Sequence, residues 1–204
     1  MLHRIMAAVI GLLITLAPAL AEPLDVSGVK FEQALQLRGT PLVLNGAGVR
    51  YKAIFKVYAA ALYLPERASS AEAVLAAPGP RRLNIVMLRA IDANELGRLF
   101  TRGMEQNAAR EEFAKSIPGT IKMGEIFAAQ KRLSAGESFQ IDWIPGEGTV
   151  ISVNDKPAAG AIREPEFYSA MLKLWLGPQP ADPALKDALL GKAPATPRGR
   201  HNAD

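Results

Sequence analysis

Cysteine is missing from the 204 residues, and histidine occurs only as His3 and His201. No disulfide can hold this chain, and no thiolate can serve as nucleophile or metal ligand. One histidine lies in an N-terminal apolar segment and the other in a polar C-terminal stretch, so the sequence between them contains no imidazole. Ser-His-Asp and Cys-His catalysis are thereby excluded, as are the usual zinc and haem ligand sets. No metal and no cofactor is expected. Long runs of one charge sign are lacking too. Lys and Arg number 24 against 20 Asp and Glu, and no basic run exceeds the pairs Arg81-Arg82 and Lys131-Arg132. Nucleic-acid binding would leave a denser footprint and is not expected.

What is present begins with an export signal. His3 and Arg4 precede an apolar run from Ile5 to Leu16, and Ala19-Leu20-Ala21 forms a small-x-small cleavage site before Glu22. The run is short of the roughly 20 residues that span a bilayer. The expectation is a signal peptide over residues 1–21, cleavage near Ala21, no stable membrane span afterwards, and a periplasmic or secreted product. No cysteine follows the site to carry a lipid. Residues 22–191 are then expected to form one domain with a core of its own. Residues 192–204 are polar, contain proline and are expected to be a disordered tail.

The patterning within 22–191 predicts mixed structure. Leu42-Val43-Leu44 is an apolar run, and Asn45-Gly46-Ala47-Gly48 has the chemistry of a tight turn. Val49 to Leu64 then returns as a strand, apolar at both parities and therefore covered on both faces. Ser69 to Ala77 predicts a short helix, and Arg82 to Leu88 a strand. Asp92 with Glu95 resembles a capping box, followed by Leu96, Leu99, Phe100, Gly103 and Met104 on one helical stripe. The helix is expected to run on through Lys115 until Ile117-Pro118-Gly119 interrupts it, with another over Ile121 to Leu133. Strands are predicted at Ser138–Ile144 and Gly148–Val153, and helices from Pro165 to Leu176 and from Asp182-Pro183 to Leu190. Strands and helices in blocks, without strict alternation, indicate an α+β fold: a large, mainly antiparallel sheet with helices on one face.

Several segments resemble the chalcone-isomerase-like family, in its secreted bacterial branch. They are Gly46-Ala47-Gly48-Val49-Arg50, Phe55-Lys56-Val57-Tyr58-Ala59, Leu62-Tyr63-Leu64, the Asp92 helix, Gly146 with Val153-Asn154, and Phe167 with Leu174-Trp175-Leu176-Gly177. The resemblance implies an open-faced sandwich with a ligand cleft between sheet and helices. Plant members cyclise chalcones to flavanones, and non-catalytic members bind fatty acids. The arginine after Gly-x-Gly is shared and is Arg50 here. Where the isomerases use a threonine, Tyr58 stands, similar to the fatty-acid-binding members. Their tyrosine and asparagine have no counterpart in Leu96 to Gly103, and their late hydroxyl falls around the carboxylate Glu164.

The resemblance therefore implies a non-catalytic binder of a fatty acid or similar amphipathic carboxylate, held by Arg50 and Tyr58. A guanidinium grips a carboxylate with two charge-assisted hydrogen bonds, and a phenol adds a third donor. Two alternatives stay open: an intramolecular lyase acting on an enone, with Arg50 stabilising the oxyanion, and an envelope module that binds another protein through its helix face. One geometric demand follows. On a single regular strand Arg50 and Tyr58 share a face yet stand roughly 26 Å apart. Either the chain turns or bulges between Tyr51 and Ile54, or only one of them touches a ligand. Lys56 shares their parity and is expected as a solvated edge residue. Arg89 is expected to pair with Asp92 or Glu95. Trp143 and Trp175 are assigned to the core.

Overall fold

The computed structural model describes residues 22–192. The expected signal peptide and C-terminal tail thus lie outside the described residues, apart from Lys192. The chain opens with a small hairpin, β1 (Leu24–Val26) and β2 (Val29–Phe31). Next come β3 (Ala34–Leu37), the long β4 (Thr40–Lys52) and β5 (Phe55–Leu64). A short helix α1 (Ala71–Ala76) leads to β6 (Arg81–Met87), then β7 (Ile91–Asp92), α2 (Ala93–Asn107) and α3 (Arg110–Gln130). After β8 (Arg132–Leu133) come β9 (Ser138–Ile144), β10 (Gly148–Val153) and β11 (Lys156–Pro157). Two helices, α4 (Pro165–Leu176) and α5 (Pro183–Leu189), complete the fold.

Seven strands form one sheet in the order β11-β10-β9-β6-β5-β4-β3, with every neighbouring pair antiparallel. This is the α+β architecture that the patterning predicts. The main core lies where Leu62, Ile85 and Phe139 of the sheet meet Phe100, Phe127 and Trp175 of the helices. Helix α4 is buried on nearly all sides, because it packs against α2, α3 and the sheet together. A smaller cluster on the opposite face joins Ala59, Ala61 and Tyr63 to Phe31 of β2 and to Leu37, Leu42 and Leu44. Both faces of β5 are thus covered, as its two apolar parities require. The alanines give the close approach.

Three expectations need correction. Asn45-Gly46-Ala47-Gly48 is not a turn; it lies inside β4, and Asn45 is the extra residue of a bulge between the Leu44↔Tyr63 and Gly46↔Leu62 pairs. The buried Asn45 side chain donates to the Leu189 and Ala68 carbonyls and accepts from the Ala68 amide, at 2.7–3.0 Å. The glycines serve closeness, not a positive φ. A Cβ on Gly46 would stand 2.0 Å from the Ala188 carbonyl oxygen, and one on Gly48 2.7 Å from the Ala188 Cβ, so α5 lies directly on the β4 backbone. The actual reversal is Ala53-Ile54, with Ala53 at φ 54°, and it divides the predicted Val49–Leu64 strand in two.

The helical break is also displaced. It falls at Ala108-Ala109, where Ala108 closes on the Met104 carbonyl, and α3 runs continuously through Pro118. A mid-helix proline costs about 3 kcal/mol. Here Gly119 packs so tightly on Ile162 and Phe167 that its helical placement is set by tertiary contact. The strands between Leu24 and Leu37 carry no clear periodicity and were not predicted.

Because Gly46 has no room for a methyl group, Gly46→Ala should lower unfolding free energy by about 3 kcal/mol in chemical denaturation. An unchanged midpoint would mean that α5 does not rest on β4 as described.

Candidate functional site

The turn at Ala53-Ile54 meets the geometric demand on Arg50 and Tyr58. Arg50 on β4 and Tyr58 on β5 are direct cross-strand partners, so their Cα atoms stand about 5 Å apart instead of 26. The next pair is Tyr51↔Lys56, which leaves Val57 as the extra residue of a second bulge. A bulge re-aims the side chains on either side of it. Here Val57 and Tyr58 both reach the same cavity, together with Arg50 and Lys52.

That cavity holds about 310 Å³ between the β4–β5 hairpin, α2 and the end of α4. Its apolar wall comes from Ile91, Leu96, Leu99, Phe100 and Leu174, and its far rim from Gln179, Pro180 and Ala181. The rim is fixed by Asn107, whose side chain accepts from the Gln179 amide at 2.8 Å and donates to the Gln179 and Gly103 carbonyls at 2.9 Å. Asp182 caps α5 and also accepts from the Tyr51 amide at 2.9 Å, tying the bulged hairpin to the same rim.

Tyr58 is 3% exposed, and its hydroxyl accepts a 2.8 Å hydrogen bond from the Trp175 indole Nε1. Among the described residues no acceptor takes the hydroxyl proton. Burial pushes the Tyr58 hydroxyl up to about 12, against the opposing pull of the Trp175 hydrogen bond and the positive Arg50. Phe100 meets Trp175 edge-on, with ring centroids 5.3 Å apart, and holds the indole in place. Trp175 was assigned to the core alone. It is core, and it also orients the phenol. Arg50 is half-buried, and no ion pair among the described residues involves it. Lys52 and Arg102 add positive charge to the cavity lining, and Glu95 is the one carboxylate in it.

The other sequence candidates lie elsewhere. Lys56 stands outside the cavity lining and donates to Ser27 Oγ at 3.0 Å. Arg89 pairs with neither Asp92 nor Glu95; its guanidinium lies 5.3 Å from the Phe55 ring centroid. Asp92 instead accepts from the Glu95 amide at 2.8 Å and caps α2. Glu164 is the N-cap residue of α4, apart from this cavity. Outside those candidates, the buried Asp142 holds Arg82 in a two-bonded pair, at 2.6 and 2.7 Å. Trp143 stacks near Arg81 and Tyr168. Of the α2 side chains that line the cavity, none is a tyrosine or an asparagine. Gln106 also lines the cavity, and because it is polar and off the apolar stripe of α2 the hydrophobic pattern does not point to it.

An antiparallel sheet backed by helices, with an arginine and a tyrosine paired inside an apolar cleft between the two layers, defines an α+β protein built around an internal pocket. Its family follows from the sequence match: residues 23–191 fit the chalcone isomerase-like family, and the chain belongs to it. No curated protein sequence matches the chain. Among solved structures it is similar to the Arabidopsis thaliana fatty-acid binding protein AtFAP1, with a TM-score of 0.63 and 12% identity. That likeness covers 80% of this chain and 92% of the plant protein, and it shows a common fold.

The Tyr58 hydroxyl gives a pH signature. An unfolded tyrosine loses its proton near pH 10, whereas the folded Tyr58 keeps it to about 12. Between those values the folded chain binds the extra proton, so stability present below pH 10 is lost as pH rises. Tyr58→Phe should flatten the decline by up to about 1.4 kcal/mol per pH unit in that window. Identical slopes in wild type and variant, followed by denaturant titration, would refute the buried assignment.

Proposed function

We propose that this protein is exported, processed near Ala21, and binds a fatty acid or similar amphipathic carboxylate in the cavity beside Arg50 without chemically altering it. The observation that carries the reading is the juxtaposition of Arg50 and Tyr58 across one strand pair, in the lining of a largely apolar cavity. The guanidinium supplies charge and the phenol a hydrogen-bond donor, both facing a carboxylate head. Ile91, Leu96, Leu99, Phe100 and Leu174 supply the wall for an acyl chain. Cavities of this kind, mostly apolar with a few converging polar groups, are the usual form of small-molecule sites. AtFAP1, a fatty-acid binding protein, supports the reading through its similar fold. Export rests on the basic, apolar and small-x-small pattern of residues 1–21.

An organic extract of the purified protein should contain an amphipathic acid by mass spectrometry. A charge-assisted hydrogen bond is worth about 1.5–3 kcal/mol, so Arg50→Ala should weaken binding of a medium-chain fatty acid by about ten- to a hundredfold in calorimetry. Tyr58→Phe, which removes a neutral donor, should cost less than tenfold or about that. Equal affinities in wild type and Arg50→Ala would remove the proposed head-group site. Sequencing the N-terminus of protein recovered outside the cytoplasm should begin at Glu22.

A further inference from the structure

The end of the β4–β5 hairpin has a composition that neither the fold nor the cavity explains. Two-residue hairpin turns normally take Gly, Asn or Asp, which tolerate a positive φ and are comfortable in water. This one is Ala53-Ile54, with Ala53 at φ 54°. Ile54 is 84% exposed, Phe55 56% and Tyr51 42%. Ile54 is the most exposed of the large apolar side chains among the described residues. A strained turn that lifts isoleucine and phenylalanine into solvent breaks two local rules at once, and such breaches concentrate at functional positions.

The charged side chains on the tip itself and against Phe55 are basic. Lys52 and Lys56 stand on the two strands directly behind the turn, and the exposed Arg89 lies 5.3 Å from the Phe55 ring. None of the three makes an ion pair among the described residues. Carboxylates that neighbour the hairpin are engaged or set back, Asp25 on the Gly28 amide among them. Asp182 caps α5 and the Tyr51 amide, and Glu95 belongs to the cavity lining on α2. The tip is therefore an apolar apex with a basic collar.

We propose that this hairpin tip docks into the surface of an anionic lipid bilayer, Ile54 and Phe55 entering the acyl boundary while Lys52, Lys56 and Arg89 meet the phosphates. Apolar residues on one side and Lys/Arg behind them is the arrangement of interfacial anchors, whose affinity combines buried apolar area with attraction to anionic headgroups. A protein partner fits less well. A stable protein interface takes about 800 Å² from each side, and a convex turn with three apolar side chains presents a small fraction of that. A bilayer, by contrast, closes around a convex point. Lys52 also lines the cavity, so the docked tip would set the cavity rim against the membrane. The proposal goes beyond ligand binding: a cavity that holds an acid is compatible with either result below.

The absence of cysteine makes the test site-specific. Ile54→Cys in the full chain takes a polarity-sensitive fluorophore at one position, and Glu66→Cys, two residues beyond the opposite end of β5, gives a control. Both chains share the N-terminal apolar segment, so only the difference between positions counts. With equimolar phosphatidylcholine–phosphatidylglycerol vesicles, the label at 54 should shift to the blue and the label at 66 should not. Phosphatidylcholine vesicles should give little response. In about 1 M salt, where the Debye length is roughly 3 Å, the shift should reverse in part. Adding Lys56→Glu and Arg89→Glu should lower partitioning by about tenfold or more. No shift at 54, the same shift at 66, an equal response to neutral vesicles, or undiminished partitioning of the doubly substituted chain would each overturn the proposal.

Discussion

The pairing register of β4 with β5 governs the rest of the molecule. Two bulges, at Asn45 and at Val57, interrupt an otherwise regular ladder. The first turns a polar side chain out of the sheet, where it fastens the end of α5 and the loop at Ala68. The second brings Val57 and Tyr58 to one cavity and sets Tyr58 opposite Arg50. A slip by one residue would send every side chain of β5 to the other face. Ala59 and Ala61 would then meet the helices, and Tyr58 would face the N-terminal hairpin. The two faces of β5 pack against different clusters of different shape, which fixes the register energetically.

Around that register the helices are placed by steric allowance as much as by attraction. Gly46 and Gly48 admit α5, Gly103 admits Leu174, and Gly119 admits Ile162 and Phe167. Each is a site where a methyl group would collide, so the helical layer sits closer than ordinary side chains permit. The buried polar groups act as pins between layers. Asn107 holds the loop after α4, Glu112 receives Lys173 and Ser169, and the Arg81 guanidinium donates to the Val74 and Leu75 carbonyls at the end of α1. A chain without disulfides is thereby cross-linked by hydrogen bonds between separate elements.

The sheet and the helices that cover it were legible because their signals are local. The Asp92 cap, Pro165 at a first helical position and Asp182-Pro183 mark boundaries that the structure reproduces. What was not legible depended on contact between distant segments. Asn45-Gly46 carries a strong hairpin signal, yet its glycine answers to α5, more than a hundred residues later. The true turn carries no Gly or Asn and is forced by the pairing on either side of it. Pro118 persists in a helix for a similar reason. In the candidate site, Arg50 and Tyr58 were visible as residues, while their adjacency required the turn and the bulge. Trp175 as the partner of Tyr58 left no sequence signal, since a buried tryptophan needs only packing.

Trp175 bears on what the pocket admits. Its N–H takes one acceptor position of the Tyr58 oxygen, and the hydroxyl hydrogen has no acceptor among the described residues. A guanidinium accepts nothing. The Arg50–Tyr58 pair thus offers donors to the cavity, while Glu95 and Gln106 on the α2 side of the same lining offer acceptors. Two donors side by side suit an acceptor such as an ionised acid, whereas an alcohol or an amine would have to turn its hydrogen toward Glu95 or Gln106.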